Sequence, residues 1–396
     1  MEGKKPRFEL VHAMRGLAAL SVLLYHALFK AYLSQRPDNP LTPYAAHLDV
    51  GVSIFFLISG FVLYRPMVAA RLAGRPPLDA EEYGRRRLRR IIPAYWVALV
   101  VAGLAGASYL GYPKIFAAQG IPAYFGFLQI YSPDTAGGGI NVAWTLCVEI
   151  TFYAFLPLWA LLLRRLVPRG GVRSELAALA GLFVASCAWQ LLAVHSTDAN
   201  MFGLSAARWI EPLPNFLDQF AVGMALAVAS VALERRRPAR AWRWWLLAAL
   251  AYVAMSTVIG TKTLSPGTYL LRHQLNTLVA LGVLVPAVFA APERRFLRLP
   301  ALAFLGTVSY GVYLYHVPVM VRLGLWFGLP RTPASLALWL SVTMVATLIL
   351  AALSWRFVER PLLGRQRRTT TGRPTLPASS TARTETERAL APTGIA

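Results

Sequence analysis

The segment Val142-Ala143-Trp144-Thr145-Leu146-Cys147-Val148-Glu149-Ile150-Thr151-Phe152-Tyr153, continuing as Ala154-Phe155-Leu156-Pro157-Leu158-Trp159-Ala160-Leu161-Leu162-Leu163 and closing on Arg164-Arg165, decides the fold class. Before the arginine pair, residues 142–163 hold a single charged side chain, Glu149. A helix needs about 20 mostly apolar residues to cross a bilayer, so this stretch reads as a membrane span with its basic end at the surface. Working outward, spans are expected at roughly 14–33, 49–69, 91–111, 142–163, 175–195, 213–233, 242–261, 273–291, 301–322 and 334–355. The expected fold is all-α: a polytopic membrane helix bundle of about ten transmembrane helices.

Composition points the same way. The chain is 56% hydrophobic and 15% charged, with a mean hydropathy of +0.49, which excludes an ordinary soluble enzyme. Its net charge of +22 raises the question of nucleic acid. The bases fall in clusters between apolar runs rather than on one polar domain, so no nucleic-acid partner is expected. With the N-terminus in the cytoplasm, 31 Lys and Arg lie in inner segments against eight on or near outer loops, and Arg15 lies within a span. That asymmetry predicts both termini in the cytoplasm of a multi-pass cell-membrane protein. Residues 1–363 are expected to form the transmembrane domain. Residues 364–396, rich in Thr, Pro, Ser and Arg, are expected to be a disordered basic cytoplasmic tail. The two cysteines, Cys147 and Cys187, lie in apolar stretches, so neither a disulfide framework nor a metal site is expected.

An ionisable group in the membrane must face a cavity or a partner. Arg15 and His26 are eleven residues apart, so a helix puts them on one face about 16 Å apart in depth. His26, Glu149, Asp218 and His316 come from four spans, and all are expected at similar depth near the outer side. Four titratable groups in one layer read as a site. The competing readings are a snorkelling Arg15, a core His26 and carboxylates that pair with arginine only for packing. A second constellation, Arg85-Arg86-Arg87-Leu88-Arg89-Arg90-Ile91-Ile92-Pro93, opens the third span. Arginine suits bidentate phosphate contacts, so a phosphorylated cytosolic ligand is one reading and an anionic-lipid patch the other.

Five blocks occur in order: Met14-Arg15-Gly16-Leu17-Ala18-Ala19 leading to Tyr25-His26; Phe55-Phe56-Leu57-Ile58-Ser59-Gly60-Phe61; Arg87-Leu88-Arg89-Arg90-Ile91-Ile92-Pro93-Ala94-Tyr95; Trp144-Thr145-Leu146-Cys147-Val148-Glu149 with Phe152-Tyr153; and Ser309-Tyr310-Gly311-Val312-Tyr313-Leu314-Tyr315-His316. Over about residues 8–360 the chain resembles the acyltransferase 3 family of integral membrane acyltransferases, which O-acylate surface glycans, Nod factors and some macrolides. The resemblance implies transfer of an acyl group, acetyl above all, from cytoplasmic acyl-CoA to a hydroxyl. It carries the Arg-x10-His pair onto Arg15 and His26 and gives importance to Glu149, Arg87 and Arg90. His12-Ala13-Met14 stands where the family usually has Asp-Gly-Leu, and Thr145 replaces the more usual Ser.

The expected mechanism makes His26 the base that takes the hydroxyl proton, with Glu149 orienting it or stabilising its imidazolium. Arg15, Arg87 and Arg90 are expected to bind the donor. Trp144, Tyr153, Tyr310, Tyr313 and His316 are expected on the acceptor side. The partners are acyl-CoA as co-substrate, with no bound cofactor, a glycan, glycolipid or glycosylated metabolite as acceptor, and the lipid bilayer. The outer loops read as short, favouring a small acceptor. The rival class is a transporter or flippase of a sugar- or lipid-linked substrate, in which the buried His, Glu and Asp would relay protons.

Overall fold

The computed structural model describes residues 9–107, 114–168, 170–197, 206–233, 240–260, 266–289 and 299–363. The expected tail at 364–396 lies outside these residues, as do Lys4, Lys5, Arg7, Arg169, Arg235, Arg236, Arg237, Lys262, Arg294, Arg295 and Arg298, which entered the charge count. Among the described residues the regular structure is all helical, without strands. Its α-helices are α1 (Glu9–Leu24), α2 (Thr42–Ala45), α3 (Gly51–Leu72), α4 (Ala80–Leu104), α5 (Trp144–Leu166), α6 (Val172–Ser196), α7 (Ala207–Ile210), α8 (Leu217–Ala232), α9 (Ala241–Ala254), α10 (Pro266–Phe289), α11 (Pro300–Phe327) and α12 (Pro333–Ser354).

Polarity in this bundle is inverted relative to a soluble protein. On α12, Thr343 and Thr347 are fully buried while Leu338 and Val345 are 69% and 57% exposed. An outer apolar face of this kind is stable only against lipid. Among the described residues nine segments are long and apolar enough to span a membrane, and they correspond to nine of the ten expected spans. The exception is the expected span at 91–111. It belongs to α4, whose first turns carry Glu81, Glu82 and the arginine cluster. The apolar remainder, 91–104, is about 21 Å long at 1.5 Å per residue, short of a ~30 Å hydrocarbon core. α4 then stops in a Schellman turn: Gly106 takes a positive φ of 63°, and the Ala107 N–H donates to Ala102 O at 2.9 Å.

Beyond α4 the chain folds back into the protein. Tyr124, Ile130 and Ile140 are buried, Tyr95 OH donates to Tyr124 O at 2.9 Å, and Trp96 Nε1 donates to Phe125 O at 3.1 Å. Irregular backbone at this depth is tolerable only when protein covers it. The expectation of short connections therefore fails here: 114–143 is a packed cap, legible only through contacts with α4 that are distant in sequence.

Since lipid tails are as apolar as leucine, helices in a membrane associate through close packing at small residues. α3 lies against α8 and α1 against α11. At the first crossing a Cβ on Gly60 would stand 2.4 Å from Phe220 O, and one on Gly223 would stand 2.2 Å from Leu57 O. At the second, a Cβ on Gly16 would stand 2.8 Å from the Gly306 backbone nitrogen. Gly16 directly follows Arg15 and Gly60 directly follows Ser59, so the tight crossings also fix the depth of two side chains of the site.

Candidate active site

Three adjoining cavities run through the bundle. The first, about 50 Å³, is lined by Arg15, Arg87, Arg90, Glu149, Tyr153 and Tyr310 among others. Of the five clustered arginines, Arg85 and Arg86 pair with Glu81 and Glu82 one turn back on α4. Arg87 and Arg90, three residues apart and therefore on one helix face, turn inward toward Arg15. Glu149 Oε1 accepts from Ser59 Oγ at 2.8 Å and from Tyr153 OH at 2.7 Å. The Arg15 guanidinium makes no hydrogen bond to any described residue, and Arg87 Nε is buried without a partner among them. These arginines are held together with donor capacity to spare, which is the arrangement an anionic group would fill.

The second cavity, about 40 Å³, shares Arg15, Ser59, Glu149 and Tyr310 with the first. It ends at Tyr313, whose hydroxyl lies 2.9 Å from Thr145 Oγ1. Tyr313 also lines the third and largest cavity, about 460 Å³, which is walled by His26, Trp144, Phe216 and a set of polar side chains.

His26 sits where α1 gives way to a π-helical turn, Tyr25–Lys30. Such wider turns recur at functional sites. Its Nδ1–H donates to Val22 O at 2.9 Å. His316 Nδ1 likewise donates to Val312 O at 3.0 Å, which leaves His316 Nε2 as a lone pair 3.3 Å from His26 Nδ1. Both contacts hold the His26 proton on Nδ1, a tautomer inferred from these bonds. His26 Nε2 is then an unprotonated nitrogen without a described protein partner, on a ring lining the large cavity. That is the arrangement a general base requires.

In the same cavity as His26, Arg272 Nη2 pairs with Asp49 Oδ2 at 2.5 Å. His273 Nε2 donates to Asp218 Oδ1 at 3.1 Å, and Asp218 is held further by Ser186 and Gln274. Glu211, in the short connection between α7 and α8, also lines this cavity, and burial pushes its carboxyl up to about 8. Because its ordinary value is 4.5, the unfolded chain ionises first as pH rises. Stability should therefore fall between those two values and level off above the higher one. In detergent, the thermal midpoint of the wild type should drop relative to Glu211→Gln between pH 5 and 8, and parallel curves would show that burial does not perturb this carboxyl.

The chain matches the acyltransferase domain family over residues 9–356. The chain belongs to the acyltransferase 3 family. It is accordingly a membrane acyltransferase, a multi-pass protein of a bacterial membrane. Exopolysaccharide production protein ExoZ of Rhizobium meliloti is 31% identical over 81% of this chain and 92% of its own length. Nodulation protein 10 of Rhizobium leguminosarum is 27% identical, covering 91% and 94% respectively. Peptidoglycan O-acetyltransferase OatA of Listeria monocytogenes is 23% identical over 89% of this chain, which spans only 55% of the OatA length. No solved structure matches.

In this acyltransferase 3 member the residues singled out from sequence separate into two groups. Arg15, Arg87, Arg90, Glu149, Tyr153 and Tyr310 meet at the arginine end, whereas His26, Trp144 and Tyr313 line the large cavity. Tyr153 and Tyr310 thus fall beside the arginines and not on the His26 side where acceptor contacts were expected. Glu149 does not orient His26. Its carboxylate is taken by Ser59 and Tyr153, and the group that touches His26 is His316. His316 was expected as an acceptor contact, but it is fully buried behind His26. Helix rise set Glu149 level with His26, yet Glu149 lines the two smaller cavities with Arg15, which the same rise places about 16 Å from His26. Sequence reading also missed Glu211, His273 and the Asp49–Arg272 pair as part of the site. Their signal was weak because they lie at span ends, where charged residues are common. Cys147 lines none of the three cavities and donates to Ala143 O at 3.5 Å in the packed core. Among the described residues no three His, Cys, Asp or Glu side chains cluster as a metal would need.

Proposed function

We propose that the protein moves an acyl group, acetyl in the first instance, from cytoplasmic acyl-CoA to a hydroxyl of a glycan or glycosylated small molecule. The observation that carries this reading is the His26 ring, with a free Nε2 in a cavity of about 460 Å³, which meets at Tyr313 a second cavity that in turn shares Arg15 and Glu149 with one lined by three arginines. The names of the relatives support it: a peptidoglycan O-acetyltransferase and an exopolysaccharide production protein.

In this proposal Arg15, Arg87 and Arg90 hold the phosphates of CoA, and the pantetheine arm reaches past Ser59 and Tyr313 toward His26. His26 Nε2 takes the proton of the acceptor hydroxyl while its oxygen attacks the thioester carbonyl. The tetrahedral intermediate collapses with loss of the CoA thiolate, which recovers the proton from His26. His316 keeps His26 in the reactive tautomer, the role a carboxylate plays in a Ser-His-Asp triad.

Sidedness belongs to the same proposal. α4 passes the Arg15 level at Arg87 and Arg90 and ends near the cap that contributes Ala136 and Asn141 to the His26 cavity. Counted as a crossing completed by that cap, α4 makes ten, and both termini share the cytoplasmic face with the arginines. The test uses proteoliposomes of defined orientation. Radiolabelled acetyl-CoA supplied at the face bearing the termini is expected to support transfer. Supply at the opposite face is expected to give none, and equal activity from both would overturn the cytoplasmic donor site.

A further inference from the structure

We propose that a fourth cavity, between α3, the start of α4 and α5, holds one acyl chain of an anionic membrane phospholipid whose phosphate pairs with Arg164.

This cavity, about 240 Å³, shares no lining residue with the three described above. Its inner wall is Tyr64, Met67 and Val68 of α3 with Tyr83 of α4, all buried. On the α5 side it is lined by Leu158 and Leu161, which are 66% and 45% exposed. The leucines that line the cavity thus also belong to the apolar surface that meets lipid, and a chain entering from the bilayer crosses no polar barrier. Entry gains little by hydrophobicity alone, because lipid tails are as apolar as leucine. Selection of the occupant therefore falls to the end of the chain that carries the headgroup.

That end of the cavity is basic, since Arg71 and Arg164 both line it. Arg71 is already neutralised: its Nη1 pairs with Glu175 Oε1 at 2.6 Å, and the same carboxylate accepts from Tyr64 OH. Arg164 is half-buried and donates from Nη2 to Arg75 O at 3.1 Å, but it pairs with no carboxylate among the described residues. The acidic side chains at the start of α4 are engaged elsewhere, Asp79 by the Glu81 and Glu82 N–H groups and these two glutamates by Arg85 and Arg86. Arg164 stands in the last turn of α5, about 9 Å along the helix axis from Leu158, the level at which a span meets the headgroups. A phosphate on Arg164 with its chain running back over Leu161 and Leu158 meets both demands, the missing counter-charge and the apolar space. A free phosphate would leave the cavity unfilled, and an uncharged alkyl chain would leave the guanidinium unpaired. A zwitterionic lipid would bring its own cation toward the exposed Arg75 and Arg165, so an anionic headgroup is the better match.

Purified full-length protein would be reconstituted with equal amounts of phosphatidylglycerol and phosphatidylcholine of identical chains, extracted in mild detergent and weighed intact by native mass spectrometry. The wild type is expected to keep one phosphatidylglycerol about tenfold more often than phosphatidylcholine, the effect of one charge-assisted contact. Arg164→Gln should lose that preference. Arg165→Gln, which removes the same charge outside the cavity, should keep it within about twofold. Ala160→Phe, which fills the cavity, should lose the retained lipid altogether. Phosphatidylglycerol added to delipidated protein should raise the thermal midpoint of the wild type and of Arg165→Gln but not of the other two variants, because only a ligand of the folded state stabilises it. The midpoint without lipid identifies a variant that has simply failed to fold, and if Ala160→Phe is one, the comparison of Arg164→Gln with Arg165→Gln decides. Wild type that keeps no lipid or keeps both lipids equally, Ala160→Phe that folds and still keeps phosphatidylglycerol, or Arg165→Gln that loses as much as Arg164→Gln would each overturn the site. Palmitoyl-CoA, which also joins phosphate to an alkyl chain, should not displace the lipid at equal concentration. Displacement would give the cavity to the tail of an acyl donor and overturn the proposal.

Discussion

Replacing His26 by alanine is expected to lower acyl transfer by about 10²–10⁴-fold, the usual contribution of a positioned general base. The imidazole presents Nε2 to the large cavity and is held from behind by Val22 O and His316, so its removal deletes the proton acceptor directly. Binding of acetyl-CoA should be little changed, because the arginines belong to a separate cavity. The fold should survive, since His26 is only partly buried and α1 is anchored through its packing on α11 and α3. His316→Ala is the informative companion. It leaves the base in place but removes the lone pair that fixes its tautomer, so turnover should fall by less than in His26→Ala while KM for both substrates is retained. Wild-type turnover in His26→Ala would remove the base from the mechanism. Equal losses in the two variants with matching falls in thermal stability would reduce the histidine pair to packing.

The second large effect is expected from Arg87→Ala combined with Arg90→Ala. Hydrogen bonds to charged groups contribute about 1.5–3 kcal/mol each, so losing two phosphate contacts should raise KM for acyl-CoA by 10²-fold or more. The rise should be steeper at low salt, where the remaining charges are least screened. Acceptor KM should hardly move, because neither arginine lines the His26 cavity. Arg85→Ala combined with Arg86→Ala is the control. Both are exposed and engaged by Glu81 and Glu82, so their loss should leave acyl-CoA KM within about twofold, as expected of weak surface pairs. If the control raised KM as much as the inward pair, the cluster would be acting as a diffuse basic surface and not as a site. Glu149→Gln belongs with this group. Since its carboxylate sits among Arg15, Arg87 and Arg90, its loss should alter acyl-CoA KM, not the pH profile set by His26.

The two failures of sequence reading share a cause. Helix rise placed His26, Glu149, Asp218 and His316 at one depth. Which of them meet depends on the rotation of each helix about its axis, and that is set by crossings such as Gly60 on Phe220 and Gly16 on Gly306. The crossing of α1 on α11 brings His316 onto His26 in the turn that follows α1, while Glu149 on α5 meets Ser59 on α3 and lies with the arginines. The end of the expected third span was misplaced for a related reason. The cap residues Tyr124, Ile130 and Ile140 are buried within the protein, and from sequence alone burial by protein looks the same as burial by lipid.

What the sequence determined by itself is everything that depends on apolar length and local order. Long uncharged runs exclude water on one side and demand internally satisfied backbone on the other, so the membrane bundle was readable from segments such as 142–163. The ordered blocks carrying Arg15, His26, Arg87, Arg90 and Glu149 were equally readable, since they need no knowledge of what they touch. Only the tertiary structure decided that these residues divide between two cavities linked by a third that reaches Tyr313, that a second histidine and not a carboxylate contacts His26, and that Asn276, Gln219 and Glu211 line the larger of them. Each of these is a contact between helices far apart in the chain, and lateral packing in lipid is directed by small residues and shape, which leave no periodic mark in the sequence.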